Sequence, residues 1–222
     1  MVTNVTVPAS SRAAAGTPSA PAEPGSAQGS VPARARIAAE GNERLTAWAG
    51  GALLLGFAAE GVTILDVHWW LLEHIWIGYA LFLPVGVKVA STTYRFARYY
   101  TSTPAYVEKG PPRLLLRVLG PILVLNTLFI LVSGAAIMLL PDHRWRIEQL
   151  HKLSFWTWFA LTAIHVLAYV WRLPGLMLAD LRARGTTRGA ALQRIGVVAV
   201  AGVLGLGGGA LLIPWIQRWM AG

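Results

Sequence analysis

The stretch LHKLSFWTWFALTAIHVLAYVWRL, residues 150–173, is apolar along most of its length and carries two histidines, His151 and His165, fourteen positions apart. It has about the twenty residues that an α-helix needs to cross a bilayer. Fourteen residues are nearly four helical turns, so both imidazoles fall on one face, roughly 21 Å apart along the axis. A membrane helix that serves two haems, one near each surface, needs axial ligands at about this separation. Spacing alone fits a second reading equally well: an interfacial histidine near the helix start and an unrelated, hydrogen-bonded core histidine.

Composition places the rest of the chain in a membrane too. Mean hydropathy is +0.52, 55% of the 222 residues are hydrophobic and only 13% are charged. A soluble domain carries roughly 25% charged residues. The chain has no cysteine, which excludes disulfides, iron–sulfur clusters, thiolate-bound zinc and covalently attached c-type haem. The net charge of +9 does not point to nucleic acid, because the basic residues cluster between apolar spans, where they set topology.

Five apolar spans are expected: Leu45–Leu65, Trp70–Ala90, Leu116–Leu140, Leu150–Leu173 and Ile195–Trp215. The turn at Asp66–His68 between the first two is tight. The fifth is the weakest as a helix, since Gly202, Gly205 and Gly207–Gly209 lower helix propensity, although small residues also let membrane helices pack closely. Residues 1–40 are rich in Ala, Pro, Ser and Gly and nearly free of large apolar side chains. They cannot offset their chain entropy by burial and read as a disordered cytoplasmic tail. The tail has neither the apolar core of a secretory signal nor a twin-arginine pair.

Orientation follows from the loops. Lys88, Arg95, Arg98, Lys109, Arg113 and Arg117 stand against Glu108 between spans two and three. Arg172, Arg182, Arg184, Arg188 and Arg194 stand against Asp180 between spans four and five. The other side carries Asp66 and Glu73 in one loop, then Arg144, Arg146 and Lys152 against Asp142 and Glu148. The positive-inside rule puts the N-terminus and both basic loops in the cytoplasm and the C-terminus outside. Trp69, Trp70, Trp145, Trp156 and Trp158 then fall near the outer surface as interfacial aromatics.

With that topology, spans two and four both run from outside to inside. His74, a turn into span two, and His151, at the start of span four, are expected at similar depth near the outer face. Bis-histidine ligation of a b-type haem needs one ring from each of two such helices. Gly78, one turn below His74, leaves room for a flat macrocycle. The competing reading of His74 is an interfacial side chain beside Glu73. His68 and His143 fall in turns and read as solvated surface residues.

Residues Arg44 to Leu173 resemble the cytochrome b subunits of membrane-bound formate dehydrogenases and nickel–iron hydrogenases, with their bacterial b561-like relatives. The resemblance rests on His74-x-x-x-Gly78, on Ser133-Gly134 and on His151-x13-His165. It implies a four-helix bundle holding two haems and passing electrons between a quinone and a partner subunit. It also implies that His74 and His151 ligate the outer haem and that His165 is one ligand of the inner haem. The family's first span usually opens Arg-x-x-His-Trp, where the histidine is the second inner ligand. Here the stretch reads Arg44-Leu45-Thr46-Ala47-Trp48, so Ala47 stands at the histidine position.

Three outcomes stay open for His165: no inner haem, a five-coordinate one, or ligation completed by another side chain. Lys88, fourteen residues after His74, is the only protein candidate for the last. Its other reading is a lysine that snorkels to the cytoplasmic interface or pairs with a propionate or lipid phosphate. One haem b is the favoured count and two the alternative. Glu60, in the outer third of span one, is either a proton relay or quinol contact, or a carboxylate reaching the interface. Asn126 and Thr127 are expected to hydrogen-bond across helices. Phe155, Trp156, Trp158 and Phe159 line either a haem face or lipid.

The expectation is therefore an all-α integral membrane protein: a cytochrome b-like four-helix transmembrane bundle over 41–175, then a basic loop and a fifth, Gly-rich transmembrane helix over 176–222. It is expected in a bacterial-type plasma membrane, as an electron-transfer subunit working between a membrane quinone and an oxidoreductase partner on the outer face. His74 and His151 are the expected metal ligands, with Gly78 and His165 as further cofactor contacts. One rival is a haem-free or haem-depleted membrane anchor for a partner oxidoreductase subunit. The other is a small transporter, but no repeat relates the two halves.

Overall fold

The computed structural model describes residues 31–110 and 114–221. The expected disordered tail lies outside the described residues over 1–30, as does Arg113 of the basic loop. Among the described residues the chain is almost wholly helical, without a strand. Its helices are α1 (Ala33–Leu65), α2 (Leu71–Ala80), α3 (Phe82–Tyr100), α4 (Pro104–Val107), α5 (Leu114–Leu139), α6 (Arg144–Tyr169), α7 (Leu173–Leu181) and α8 (Thr186–Ala221). Short 3-10 turns at Pro141–His143 and Val170–Arg172 precede α6 and α7.

Five helical stretches are long and apolar enough to cross a membrane, with α2 and α3 forming one and α6 and α7 another. No more than 28% of the most apolar window of any of them is buried inside the protein. The remaining surface is a lipid-facing one, rich in Leu, Val, Ile, Phe and Trp (Leu55, Leu125, Val203 and Leu211 are examples).

The helices run past the expected span ends, with α3 reaching Tyr100, α6 starting at Arg144 and α8 covering Thr186–Ala221, and three further differences stand out. α1 begins at Ala33, so residues 33–40 are helical instead of disordered. Ala, Arg and Glu favour helix there, and Ala39 is buried against Ala105 and Tyr106 of α4. The second span is interrupted at Leu81, because Pro84 has no N–H to offer the Ala80 carbonyl. α8 is one continuous helix despite its glycines. A fourth difference concerns a side chain: Trp158 is only 8% exposed, whereas Trp69, Trp145 and Trp156 are exposed as interfacial or lipid-facing residues.

The break in α2–α3 and the glycines of α8 belong together. A Cβ on Gly205 would collide with the Ala80 carbonyl oxygen, the same oxygen that Pro84 leaves free. One turn further, a Cβ on Gly209 would lie 2.8 Å from Trp76 Cδ1, and Trp76 Nε1 donates to the Leu206 carbonyl at 3.2 Å. Small residues thus bring the α8 backbone onto α2, and the low helix propensity of glycine is offset by packing. α8 also packs along α1 and α3.

The main apolar cluster joins Leu53 of α1, Leu81, Val85 of α3 and Leu131 of α5, with Phe57, Ile77, Val89 and Ile130 around it. α5 and α6 form a closely packed pair held by polar contacts. Asn126 donates to the Ser154 carbonyl at 3.2 Å, and Trp158 Nε1 donates to Thr127 Oγ1 at 2.9 Å. Such bonds contribute about 0.6 kcal/mol each inside a membrane. Both residues therefore bridge helices, as expected of them.

The basic end is tied by two carboxylates. The Asp180 side chain is fully buried; it accepts from Arg44 Nη1 at 3.1 Å and from Arg194 Nε at 2.9 Å, joining α7, α1 and α8. Glu43 pairs with Lys109 at 2.6 Å and with Arg172 at 3.3 Å. The loops that carry the excess positive charge are thus anchored to the bundle by its few acids.

Candidate functional site

The tight turn after Leu65 sets the last turns of α1 beside the first turns of α2, and α6 begins at the same end of the bundle after its own 3-10 turn. This brings His74 and His151 together. Their ring centroids are 6.5 Å apart and their planes stand at 85°. α6 makes its close backbone approach to α5. Toward α1 and α2 it reaches through side chains, with His151 near His74 and Trp158 on Phe57 at 4.6 Å between centroids.

Each ring is held through the same atom. Thr63 Oγ1 donates its only proton to the Glu60 carbonyl at 2.6 Å. With its proton on that carbonyl, the hydroxyl is an acceptor for Nδ1–H at its 3.0 Å contact with His74. Glu60 Oε1 lies 3.1 Å from the same Nδ1. Ser133 Oγ donates to the Ile130 carbonyl at 3.1 Å and accepts from His151 Nδ1 at 2.9 Å. Thr63 and Ser133 are both almost fully buried.

The consequence is chemical. A neutral imidazole with its proton on Nδ1 carries its lone pair on Nε2. Among the described residues no hydrogen bond uses Nε2 of either ring. With Nδ1–H on these hydroxyls, both rings would present Nε2 as the free nitrogen, the arrangement common in metal-ligating histidines. A metal between two such nitrogens, at bonds of about 2 Å each, sets the ring centroids about 6 Å apart. The centroids of His74 and His151 are 6.5 Å apart, close to that separation. Among the described residues no group of three or more His, Asp or Glu forms a metal site, so the pair alone offers two ligands.

Gly134 lies against His151, and Gly78 against Glu60. A Cβ on Gly134 would come 3.2 Å from His151 Cε1, so glycine lets the ring lie against α5. A Cβ on Gly78 would meet Glu60 Oε1 at 3.5 Å, an ordinary contact. Gly78 thus faces the Glu60 carboxyl. Glu60 itself does not reach the interface. It turns inward to His74, and its second oxygen is buried without a partner.

His165 lies in the other half of α6. Its ring packs on Tyr169 at 4.9 Å, and its Nδ1 is buried with no protein partner. Lys88 does not snorkel outward. Its Nζ donates to the Thr46 carbonyl at 2.8 Å and would lie 3.0 Å from a Cβ on Gly50. The ammonium is therefore seated on α1 beside Ala47, itself buried. His68 and His143 are exposed in the turns.

Sequence reading passed over Thr63 and the orientation of Glu60. Their signal was present: they are three residues apart, hence on one helix face, just before the tight turn that leads to His74. Ser133 stood in the reading only as part of a motif. Compared with known proteins, the chain matches no family model, no curated protein and no solved structure.

Proposed function

We propose that this chain is a membrane-bound b-type cytochrome that carries electrons between a membrane quinone and a redox partner on the outer face, through one haem held by His74 and His151. The observation that carries the reading is the histidine pair itself, with ring centroids 6.5 Å apart. Two buried hydroxyls, Thr63 and Ser133, each bond a backbone carbonyl and meet Nδ1 of the facing histidine, which leaves Nε2 of both rings for a ligand. A haem bound there supplies one-electron chemistry at its iron.

The chain's own residues do the rest. His74 and His151 offer Nε2 from two different helices, so binding also fastens α2 to α6. Phe57 and Trp158 pack on each other at 4.6 Å between centroids and join α1 to α6. Lys88 supports the single-haem count, because its ammonium donates to Thr46 and a donating ammonium has no lone pair for iron. Buried polar atoms without protein partners, Trp48 Nε1 on α1 with Thr162 Oγ1 and His165 Nδ1 on α6, supply contacts for a quinone headgroup in the basic half. The basic loops favour a cytoplasmic N-terminus in a bacterial-type plasma membrane, which puts the histidine pair near the outer face and its partner subunit there.

A reduced-minus-oxidised absorption spectrum of membranes holding the chain tests this directly. A b-type band that a quinol analogue also produces supports the reading. A folded chain with no such band, in haem-supplemented cells, leaves the haem-free anchor as the function.

A further inference from the structure

The two histidines are not held alike, and the difference points to a role for Glu60. His151 Nδ1 meets one neutral hydroxyl, Ser133, at 2.9 Å. His74 Nδ1 meets a hydroxyl, Thr63 at 3.0 Å, and also a carboxylate oxygen, Glu60 at 3.1 Å. The nearest acid on α6, Glu148, is turned outward and pairs with Lys152 at 2.6 Å. Glu60 has no lysine or arginine partner among the described residues, and its Oε2 is buried without any hydrogen bond. A carboxylate so placed inside a membrane span is costly and persists where its environment uses it.

We propose that Glu60 is a positioning residue that sets the donor strength of His74 and thereby lowers the reduction potential of the bound haem. The inference rests on the haem reading above. A carboxylate that accepts from Nδ1–H draws the proton toward itself and leaves more electron density on Nε2, as carboxylate–histidine–metal triads do. A more basic axial ligand and a nearby negative charge both favour the oxidised iron, which carries one more positive charge than the reduced form. Gly78, one turn beyond His74, faces the same Oε1. Thr63 shares the same Nδ1–H and so moderates the effect.

That sharing gives a test with opposite signs. Haem-loaded wild type, Glu60→Gln and Thr63→Val are titrated by spectroelectrochemistry at one alkaline pH, at which the Glu60 carboxyl is ionised, with haem counted per chain in each. Glu60→Gln replaces the anion by a neutral acceptor of the same shape, and its potential is expected to rise. Thr63→Val removes the competing hydroxyl and leaves Nδ1–H to the carboxylate alone, and its potential is expected to fall. A variant that merely loosens the site moves both potentials the same way. Equal potentials in all three proteins, or shifts of one sign, overturn the role of Glu60 while the haem reading stands. A folded wild type that takes up no haem overturns the reading and the inference together. Should Glu60→Gln fail to fold, Thr63→Val decides alone, a fall supporting the proposal and a rise or no change overturning it.

Discussion

His74 and His151 stand 6.5 Å apart between ring centroids with their planes at 85°. The angle is imposed from outside the pair, since each Nδ1 is tied to a different helix, His74 to α1 and His151 to α5. Near-perpendicular axial imidazoles give a low-spin ferric haem a strongly anisotropic electron paramagnetic resonance spectrum, whereas parallel rings give a narrower rhombic one. The strongly anisotropic signal is expected from the oxidised protein at liquid-helium temperature. A rhombic bis-imidazole signal contradicts the geometry.

Among the described residues, Ser133 is the only side chain that hydrogen-bonds Nδ1 of His151. Ser133→Ala removes the acceptor without adding bulk. Haem affinity is expected to fall about 10- to 100-fold, the usual cost of losing such an outer partner. Competition with apomyoglobin reads the change, and Ser133→Thr, which keeps the hydroxyl, restores part of it.

The basic half gives a prediction of no change. Lys88 is occupied by the Thr46 carbonyl, and His165 packs on Tyr169 with no facing histidine on α1. Lys88→Ala and His165→Ala should each keep the wild-type haem content. Loss of haem in either variant shows a ligand in that half.

α8 is part of the bundle through Gly205, seated on the Ala80 carbonyl that Pro84 leaves free. Gly205→Leu forces the two backbones apart. It is expected to cost about 1–3 kcal/mol by overpacking, read as a lowered thermal midpoint in detergent. Gly202→Leu, where nothing lies within contact distance, serves as the control and should leave the midpoint near that of wild type.

The spans and their number were legible because hydropathy and length are set by the bilayer itself. The ends were not, since α1 extends through Ala33–Arg44 on local helix propensity and on packing of Ala39 against Tyr106. The glycines of α8 read as weakness in one dimension. Only the approach to Ala80 and Trp76 explains them. At the site, the histidines could be placed from register, because depth along a helix is arithmetic. Glu60 could not be oriented that way: the same residue reaches the interface or the bundle according to which face α2 covers. Asp180 counted only as one negative charge in a basic loop, yet it joins three helices.

The central claim is that His74 and His151 together hold one haem, and haem counted per chain by pyridine haemochrome tests it most directly. Detergent-purified wild type is expected to carry about one haem b, the stoichiometry of a single bis-histidine site. His74→Ala and His151→Ala are each expected to carry none while remaining folded. A folded, haem-supplemented wild type without haem, or variants that keep it, contradicts the claim.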